Sequence, residues 1–545
     1  MSARHPYLAT QLAKVEEDSP QVRFLQSRTG REVACIEQDH RLYPLHSLFD
    51  PEKEGLRFLE VYPAKGFFIF LGLGCGYHIV PFLEYPEVTS LLILDTQVEI
   101  LRTILGRIDL RKLLLDPRVS ILIDPSPEML EDFMFTHYFP SISGDIKTVP
   151  LRSRVELSSG FFQSCIASFQ KSIETISQDF TVQTRFGKKW FSNTIANLPV
   201  AEQTTCTISP RRKILITAAG PSLEKGMERI QREREENFFI ATDTSLPALL
   251  DEGIIPDAVV SIDCQHISYH HFLGGLPEHT FLVLDLASPP LLTRLSNKLM
   301  FFASSHPFSL YLSTFWRQFP SIDTSGGNVT HAAVSLALTL GADRILLYGA
   351  DFSFPQGKSY ARGSYLYPYF LSHSSRFHPL ETTFSQLLFS NQKLERIREE
   401  RGLRYTSYRM KLYRSHLETF LAQSHSAIVS WGEGGEPIHI STSGNAEKRS
   451  MQIVSAGPVR CSWMEFLESY LEEIQSLPPP SDPVISYLDS LPRDRRNLWT
   501  TLLPISAVIR KEHGAEEESP SRLLIESRDW AVETIHRHLQ SGSNF

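Results

Sequence analysis

The chain has 545 residues, of which 42% are hydrophobic and 21% charged, and its formal net charge is −8. This length exceeds what one hydrophobic core ordinarily organises, so we expect two or three domains. A general nucleic-acid binder should carry a basic excess, and this chain does not.

No apolar run reaches the roughly 18 residues needed to cross a bilayer. The first residues, MSARHPYLATQLAKVEED, lack the apolar stretch of a secretory signal. The six cysteines are scattered, without the spacing of a zinc site or a disulfide framework. We therefore expect a cytoplasmic protein with reduced thiols, no membrane span and no nucleic-acid partner.

Residues from about 30 to 150 alternate strand-like and helix-like segments. GFFIFLGLGCGYHIVPFLE has the pattern of a strand, a glycine-rich turn and a helix, and SLLILDTQVEILRTIL and RVSILIDPSPEMLEDF follow with strands that run into helices. Strands that are apolar throughout and separated by helices are typical of a parallel sheet covered on both faces. We predict an N-terminal Rossmann-like domain over 1–150.

The turn LGLGCGYHIV contains Gly72, Gly74 and Gly76, and Asp95 follows the next predicted strand. The dinucleotide pattern G-x-G-x-x-G fails because Tyr77 occupies its last position. The pattern G-x-G-x-G, typical of S-adenosylmethionine-dependent methyltransferases, is present. A methyltransferase-like site is therefore an alternative to the structural role that we favour for this turn.

A helical connector is predicted over 151–207, and strand–helix alternation resumes over 208–440. We predict strands at Lys213–Ala218, Phe238–Thr242, Ala258–Ile262, Phe281–Leu286, Leu299–Ala303, Arg344–Tyr348 and Ala427–Ser430. Helix-like segments separate them, so this is a second, larger doubly wound α/β domain. Residues 441–545 form a helical C-terminal region with a polar loop at Ser441–Arg449.

Ligands of an open parallel sheet bind beyond the carboxyl ends of its strands. The first strand of the central domain ends in Gly-Pro-Ser, where glycine permits close approach of a ligand and the following helix N-terminus suits a phosphate. Glycine, hydroxyl and acidic residues also follow the other strands. The predicted nucleotide or sugar-nucleotide site consists of Gly220, Pro221, Ser222, Thr242, Asp243, Thr244, Asp263, Thr324, Ser325, Gly326, Gly327, Asn328, Gly349 and Asp351.

Four ordered stretches carry a family resemblance: ILITAAGPSLEKG, FFIATDTSLPALLDEGIIPDAVVSID, DTSGGNVTHAAVSLALTLGADRILLYGADFSFPQGKSYA and HSAIVSWGEGGEPI. They resemble the motility accessory factors, which are flagellin glycosyltransferases that share a domain with archaeal 6-hydroxymethylpterin diphosphokinases. The resemblance covers most of the chain and is strongest over 185–440.

The same stretches are similar to bacterial sialyltransferases that use CMP-sialic acid. The matching positions are the Gly-Pro-Ser-Leu turn at 220–223, Thr-Ser-Gly at 324–326, and Gly349, Asp351 and Phe352. Tyr360 matches a family tyrosine, whereas Ser353 replaces another. The family's histidine base has no counterpart in GLRYTS, which leaves His373 and His378 as candidate bases. Tyr360, which would assist the leaving phosphate, and Asp351 are the other candidate catalytic residues.

The resemblance implies a metal-independent glycosyltransferase that moves a CMP-activated nonulosonic acid, pseudaminic or legionaminic, to Ser/Thr hydroxyls of flagellin. No Asp-x-Asp pair is present, and a CMP-sugar leaves with a single phosphate. A diphosphokinase-like enzyme is the alternative; it would require Mg²⁺, with Asp243, Asp263 and Asp351 as possible ligands. A methyltransferase and a non-catalytic binding protein are two further possibilities.

Overall fold

The computed structural model describes residues 4–15, 17–390, 393–399, 402–424, 426–432, 434–439, 453–514 and 519–542. The predicted loop at Ser441–Arg449 lies outside these residues. The chain divides into two compact units, Met1–Lys188 with Glu472–Glu533, and Lys189–Leu471 with Thr534–Phe545. The four segments proposed from the sequence remain a prediction about its organisation.

The N-terminal part of the first unit contains two sheets. A three-stranded antiparallel sheet, which the sequence pattern did not predict, consists of β1 (Val22–Gln26), β2 (Glu32–Gln38) and β3 (Arg41–Pro44). A parallel sheet in the order β6-β5-β4-β7 consists of β4 (Gly66–Leu71), β5 (Val88–Asp95), β6 (Val119–Ile123) and β7 (Ile146–Pro150). Its helices are α1 (Pro6–Ala13), α2 (Pro51–Val61), α3 (Val98–Leu105), α4 (Arg111–Leu115), α5 (Pro127–His137), α6 (Pro140–Ser143) and α7 (Arg152–Leu157).

Strands β4 and β5 are buried along their whole length. Phe68, Phe70 and Ile93 belong to one apolar cluster and Phe67, Ile69 and Leu94 to another, so alternate side chains serve opposite faces of the sheet. This double burial explains the uninterrupted apolar sequence of each strand. The predicted Rossmann-like domain is thereby confirmed.

A 45-residue helix, α8 (Ser159–Gln203), follows and occupies most of the predicted connector. The second unit then contains β8 (Thr207–Ile208), β9 (Lys213–Thr217), β10 (Phe238–Thr242), β11 (Ala258–Ser261), β12 (Phe281–Asp285), β13 (Leu299–Phe302), β14 (Arg344–Tyr348), β15 (Phe354–Pro355), β16 (Leu394–Glu399), β17 (Gly402–Ser407), β18 (Ala427–Trp431) and β19 (Val454–Ser455). Its helices are α9 (Leu223–Glu233), α10 (Leu246–Asp251), α11 (Pro307–Phe315), α12 (Val329–Thr339), α13 (Leu366–Ser372), α14 (Leu380–Phe389), α15 (Tyr408–Ala422) and α16 (Trp463–Gln475).

Seven parallel strands form the main sheet of this unit, in the order β13-β12-β11-β10-β9-β14-β18. The chain therefore proceeds outward from β9 to β13 and then returns to β14 on the other side of β9. Helix α12 packs into the core with every residue from Thr330 to Leu338 buried. Its small alanines let it lie close to the sheet, as the doubly wound class requires.

The last helices are α17 (Val484–Ser490), α18 (Arg493–His513) and α19 (Pro520–Gly542). The fold class is thus the predicted one: two Rossmann-like α/β domains with a helical C-terminal region. Among the described residues, no helix combines the length and the apolar character that crossing a membrane requires.

Candidate functional site

The Gly-Pro-Ser turn between β9 and α9 is bound to the loop that follows β14. The Gly220 N–H donates to the carbonyl oxygen of Gly349 at 2.8 Å, and the Ser222 N–H donates to Asp351 Oδ2 at 2.8 Å. A Cβ atom on Gly220 would lie 2.4 Å from that carbonyl oxygen and 2.6 Å from Asp351 Oδ2. A side chain at position 220 would therefore clash with the protein itself, which explains the glycine without a ligand. The next residue, Pro221, is buried.

Asp351 is 2% exposed, and burial raises the pKa of its carboxyl group while the hydrogen bond from Ser222 opposes that shift. Asp351 Oδ1 and Ser222 Oγ are both buried without a hydrogen-bond partner among the described residues. A Cβ on Gly432 would lie 3.4 Å from the former atom and 3.9 Å from the latter. Two buried polar atoms without a partner among the described residues thus lie beside Gly432.

Asp243 and Asp263 follow the neighbouring strands β10 and β11. Asp243 is 4% exposed, and its carboxylate accepts hydrogen bonds from Thr244 N at 2.6 Å and from Ser261 Oγ at 2.6 Å. Asp263 Oδ1 accepts from Gln265 N at 2.9 Å. Burial, and then the charge of Asp243, raise the pKa of Asp263. Two close carboxylates of this kind suit the hydroxyl groups of a ribose or sugar and repel phosphate.

Thr242 and Thr244 hold the turn after β10. Thr242 Oγ1 donates to Ser245 Oγ at 3.1 Å, and Thr244 Oγ1 donates to Asp243 Oδ1 at 3.0 Å. Both hydroxyls are therefore used within the protein, and the hydroxyl of Thr244 helps to fix the Asp243 carboxylate.

Aromatic side chains lie beside the two carboxylates. Burial raises the pKa of Tyr360, and the charges of Tyr413 and Asp243 add to that shift. Burial, together with Tyr360 and Asp263, raises the pKa of Tyr365, whose ring meets that of His271 edge-on with centroids 4.6 Å apart. We call Asp243, Asp263, His271, Tyr360 and Tyr365 the edge cluster.

Sequence analysis predicted three of these five residues and missed the other two. His271 lies in the 3-10 helix His266–Phe272 after β11, and Tyr365 immediately precedes α13. Their signals were the His-rich HISYHHF and the Tyr-rich SYLYPYF. Neither signal shows from the sequence alone which ring turns toward the sheet edge.

The loop before α12 is organised by its own side chains. Asn328 caps the helix by accepting from His331 N at 3.0 Å, and its Nδ2 donates to the Gly326 carbonyl at 2.9 Å. The Ser325 N–H donates to Asp323 Oδ1 at 2.8 Å, and the Gly327 N–H donates to the Thr324 carbonyl at 3.0 Å.

Two further residues complete this loop. His331 pairs with Asp323 at 3.3 Å, and this bond holds the pKa of the Asp323 carboxyl well below its usual range. A Cβ on Gly327 would come within 3.1 Å of the Tyr413 ring, which also influences Tyr360. Tyr413 thereby connects this loop with the edge cluster.

His373 and His378 are exposed. His373 Nδ1 lies 2.9 Å from the Tyr369 carbonyl oxygen at the end of α13, and His378 N donates to Ser375 Oγ at 3.2 Å. The structure brings neither histidine into contact with a member of the edge cluster. Among the described residues, no group of three or more His, Cys, Asp or Glu side chains is arranged to hold a metal ion, so Asp243, Asp263 and Asp351 do not form one.

The glycine-rich turn of the first unit is filled by protein. Cβ atoms on Gly72 and Gly74 would lie 2.7 Å from Arg154 Cβ and 2.6 Å from Leu151 Cδ2. Asp95, expected to bind a ribose in a methyltransferase, instead accepts from Leu73 N at 2.9 Å and pairs with Arg154 at 2.7 Å. This geometry favours the structural role of the turn.

Comparison with known proteins gives matches at three levels. A family profile described as 6-hydroxymethylpterin diphosphokinase MptE-like matches residues 192–357. Three uncharacterized proteins of Treponema pallidum (strain Nichols) are 40%, 31% and 25% identical over 123, 167 and 273 residues. In the same order, the alignments cover 22%, 30% and 50% of this chain. They cover 44%, 80% and 60% of the relatives, so this chain spans less than half the length of the first relative.

A solved structure described as a MAf glycosyltransferase from Magnetospirillum magneticum AMB-1 has a TM-score of 0.60 and 15% sequence identity, and the match covers 99% of this chain and 93% of that one. At this identity the likeness concerns the fold. Profile, relatives and fold agree with the resemblance carried by the four sequence stretches, so the chain belongs to the motility accessory factor family with an MptE-like central domain.

Proposed function

We propose that the protein is a glycosyltransferase that moves a nonulosonic acid, pseudaminic or legionaminic, from its CMP-activated form to Ser/Thr hydroxyls of flagellin, in support of flagellar assembly and motility. The observation that carries this proposal is the edge cluster, in which Asp243 and Asp263 follow two adjacent parallel strands and Ser261 of the second strand binds Asp243. A fold shared with a MAf glycosyltransferase adds support.

The proposed roles follow from the chemistry of the side chains. Asp243 and Asp263 are proposed to accept hydrogen bonds from donor hydroxyls. The start of α12 is proposed to attract the phosphate through its helix dipole, since the N–H groups of Ser325 and His331 already donate to Asp323 and Asn328. Burial raises the pKa of Tyr360, so its phenol stays protonated and can donate to the leaving phosphate oxygen. This assignment uses no metal ion.

The Gly-Pro-Ser turn has an indirect part in the proposal. Asp351 fixes the turn through Ser222, and the unpaired Ser222 Oγ and Asp351 Oδ1 are available to a polar group of the nucleotide. Asp351 is therefore proposed as a positioning residue rather than as the group that exchanges a proton with the acceptor.

Calorimetric titration with CMP, with ATP plus Mg²⁺ and with S-adenosylhomocysteine tests the proposal. We expect CMP to bind, with affinity lowered about 10-fold or more in Asp263→Asn and Tyr360→Phe, the loss of a roughly 1.4 kcal/mol contact. Tyr408→Phe, at a tyrosine that is 65% exposed, is the matched control and should leave affinity unchanged. Mass spectrometry of flagellin incubated with the CMP-activated sugar should show the added residue.

Each alternative has its own signature in this experiment. Binding of ATP with Mg²⁺ but not CMP would replace the proposal with diphosphotransferase chemistry. Binding of S-adenosylhomocysteine alone would favour the methyltransferase, and binding of none of the three would favour a non-catalytic protein.

A further inference from the structure

Transfer to a hydroxyl needs a group that takes its proton, and the two histidines expected for this task are poorly placed. His373 and His378 are exposed, and their polar contacts lie within the α13 segment and the turn that follows it. A base must come within hydrogen-bond reach of the acceptor hydroxyl, so its position relative to Asp243 and Asp263 decides the assignment.

His271 satisfies this positional requirement. It lies in the 3-10 helix His266–Phe272, which follows β11 and Asp263 and packs against the turn Asp243–Ser245. Its ring stands edge-on against Tyr365, with centroids 4.6 Å apart and planes at 88°. These contacts place an imidazole in the edge cluster itself.

The two ring nitrogens of His271 differ in their surroundings. Nδ1 is buried and has no hydrogen-bond partner among the described residues. This leaves Nε2 as the nitrogen through which the ring can meet an outside hydroxyl. With the hydrogen on Nδ1, Nε2 carries the lone pair that a base requires.

The other histidines near this edge fit less well. His331 is 1% exposed, with Nε2 paired to Asp323 and its ring against Phe420, so it is committed to the loop before α12. His270 meets Tyr365 and Tyr369 only at ring distances of 5.9 and 6.2 Å, against 4.6 Å between His271 and Tyr365.

We propose that His271 is the general base of the transfer, an assignment that rests on the glycosyltransferase function proposed above. As the acceptor oxygen forms its bond to the anomeric carbon of the sugar, the bond from that carbon to the phosphate oxygen breaks. CMP leaves with the bonding electron pair, and the hydroxyl proton moves to His271 Nε2. The imidazolium later returns the proton to solvent.

The test compares His271→Gln with His266→Gln, an exposed histidine of the same 3-10 helix. We expect kcat for transfer from the CMP-activated nonulosonic acid to flagellin to fall about 100-fold or more in His271→Gln, because general bases contribute roughly 10²–10⁴-fold. CMP affinity and melting temperature should stay unchanged, and His266→Gln should behave as wild type. Added imidazole should restore part of the activity of His271→Ala, which a merely structural role would not allow.

The outcomes separate the two proposals. If wild-type protein transfers no sugar and binds no CMP, the glycosyltransferase function and this inference both fail. If wild-type protein is active and His271→Gln retains more than about a third of its kcat, the function stands and the assignment of the base is wrong. Loss of kcat in His373→Gln or His378→Gln, with His271→Gln active, would move the role to that residue.

Discussion

Replacing Gly220 by alanine should push the turn after β9 away from the loop after β14 and thereby destabilise the protein. The added Cβ would lie 2.4 Å from the Gly349 carbonyl oxygen, against a 3.0 Å lower limit for such contacts, so the turn must move by about 0.6 Å. That carbonyl accepts the Gly220 N–H at 2.8 Å, and Asp351 cannot follow freely because it is buried. Backbone atoms, rather than a flexible side-chain tip, therefore oppose the movement.

The cost follows from two contributions. Overpacking typically destabilises a protein by about 1–3 kcal/mol, and weakening the charge-assisted bond from Ser222 N to Asp351 adds roughly 1.5–3 kcal/mol at most. We expect a loss of about 3 kcal/mol, which corresponds to roughly 3–5 °C in melting temperature, because the unfolding entropy grows with the size of the unit that unfolds. CMP affinity should fall as well, since Ser222 moves with the turn.

Thermal melting of Gly220→Ala beside Gly274→Ala measures this effect. At Gly274 no heavy atom lies within 4 Å of the position that a Cβ would take, and φ is ordinary, so its alanine variant controls for the chemistry of the substitution. A Gly220→Ala protein that melts within about 1 °C of Gly274→Ala would refute the tight join between the two loops. Unchanged CMP binding in a destabilised variant would instead remove the turn from the ligand site.

Three further substitutions test other parts of the structure. Asp263→Asn should raise the denaturation midpoint at pH 7. Burial raises the pKa of Asp263 in the folded state, so ionising this carboxyl group costs stability at pH values above its unfolded-state pKa. The stability gained by the variant should vanish at about pH 3, where the carboxyl group is protonated in both the folded and the unfolded state. Arg154→Met leaves Asp95 buried and unpaired and should cost about 3–5 kcal/mol in urea unfolding, whereas Arg152→Met, in an exposed pair, should cost less than about 1 kcal/mol. Asn197→Ala removes the donor to two buried carbonyls and should lower stability by about 3 kcal/mol in thermal melts, and a loss below about 1 kcal/mol would contradict that role.

The parallel strands were predictable because burial on both faces leaves an unambiguous apolar run. Phe238–Thr242 and Arg344–Tyr348 have the predicted bounds. The hairpin β16–β17 was missed because Leu394–Glu399 reads LERIRE, where charged residues hide the strand pattern. Helix α18 was missed as well, since Pro504 lies inside it and polar residues begin it.

The sequence predicted at which edge of the sheet the candidate site lies, but not which side chains contact one another there. The rule that ligands bind beyond strand ends brought Asp243 and Asp263 to one edge. It does not say that Asp351 reaches back 129 residues to Ser222, because that contact depends on the order of β9 and β14 in the sheet. His271 was missed for a related reason: a histidine in a loop shows its neighbours only after folding.

The two glycine-rich turns show why local sequence alone does not identify a ligand site. In the first unit, the Asp95 carboxylate beside the turn is fully engaged by Leu73 N, Thr96 N and Arg154. In the second unit, Asp351 binds its turn with one oxygen only, and Oδ1 remains unpaired among the residues that the structure describes.

An unsatisfied buried polar group costs about 1–3 kcal/mol, and native structures generally avoid it. A turn whose polar atoms are all paired is explained by folding. The turn that leaves Asp351 Oδ1 and Ser222 Oγ unpaired beside Gly432 retains hydrogen-bonding capacity, and the hydroxyl and amino groups of the proposed nucleotide sugar match it. The pairing state of the flanking carboxylate, rather than the glycine pattern, thus separates a turn explained by folding from the turn that we propose as part of the nucleotide-sugar site.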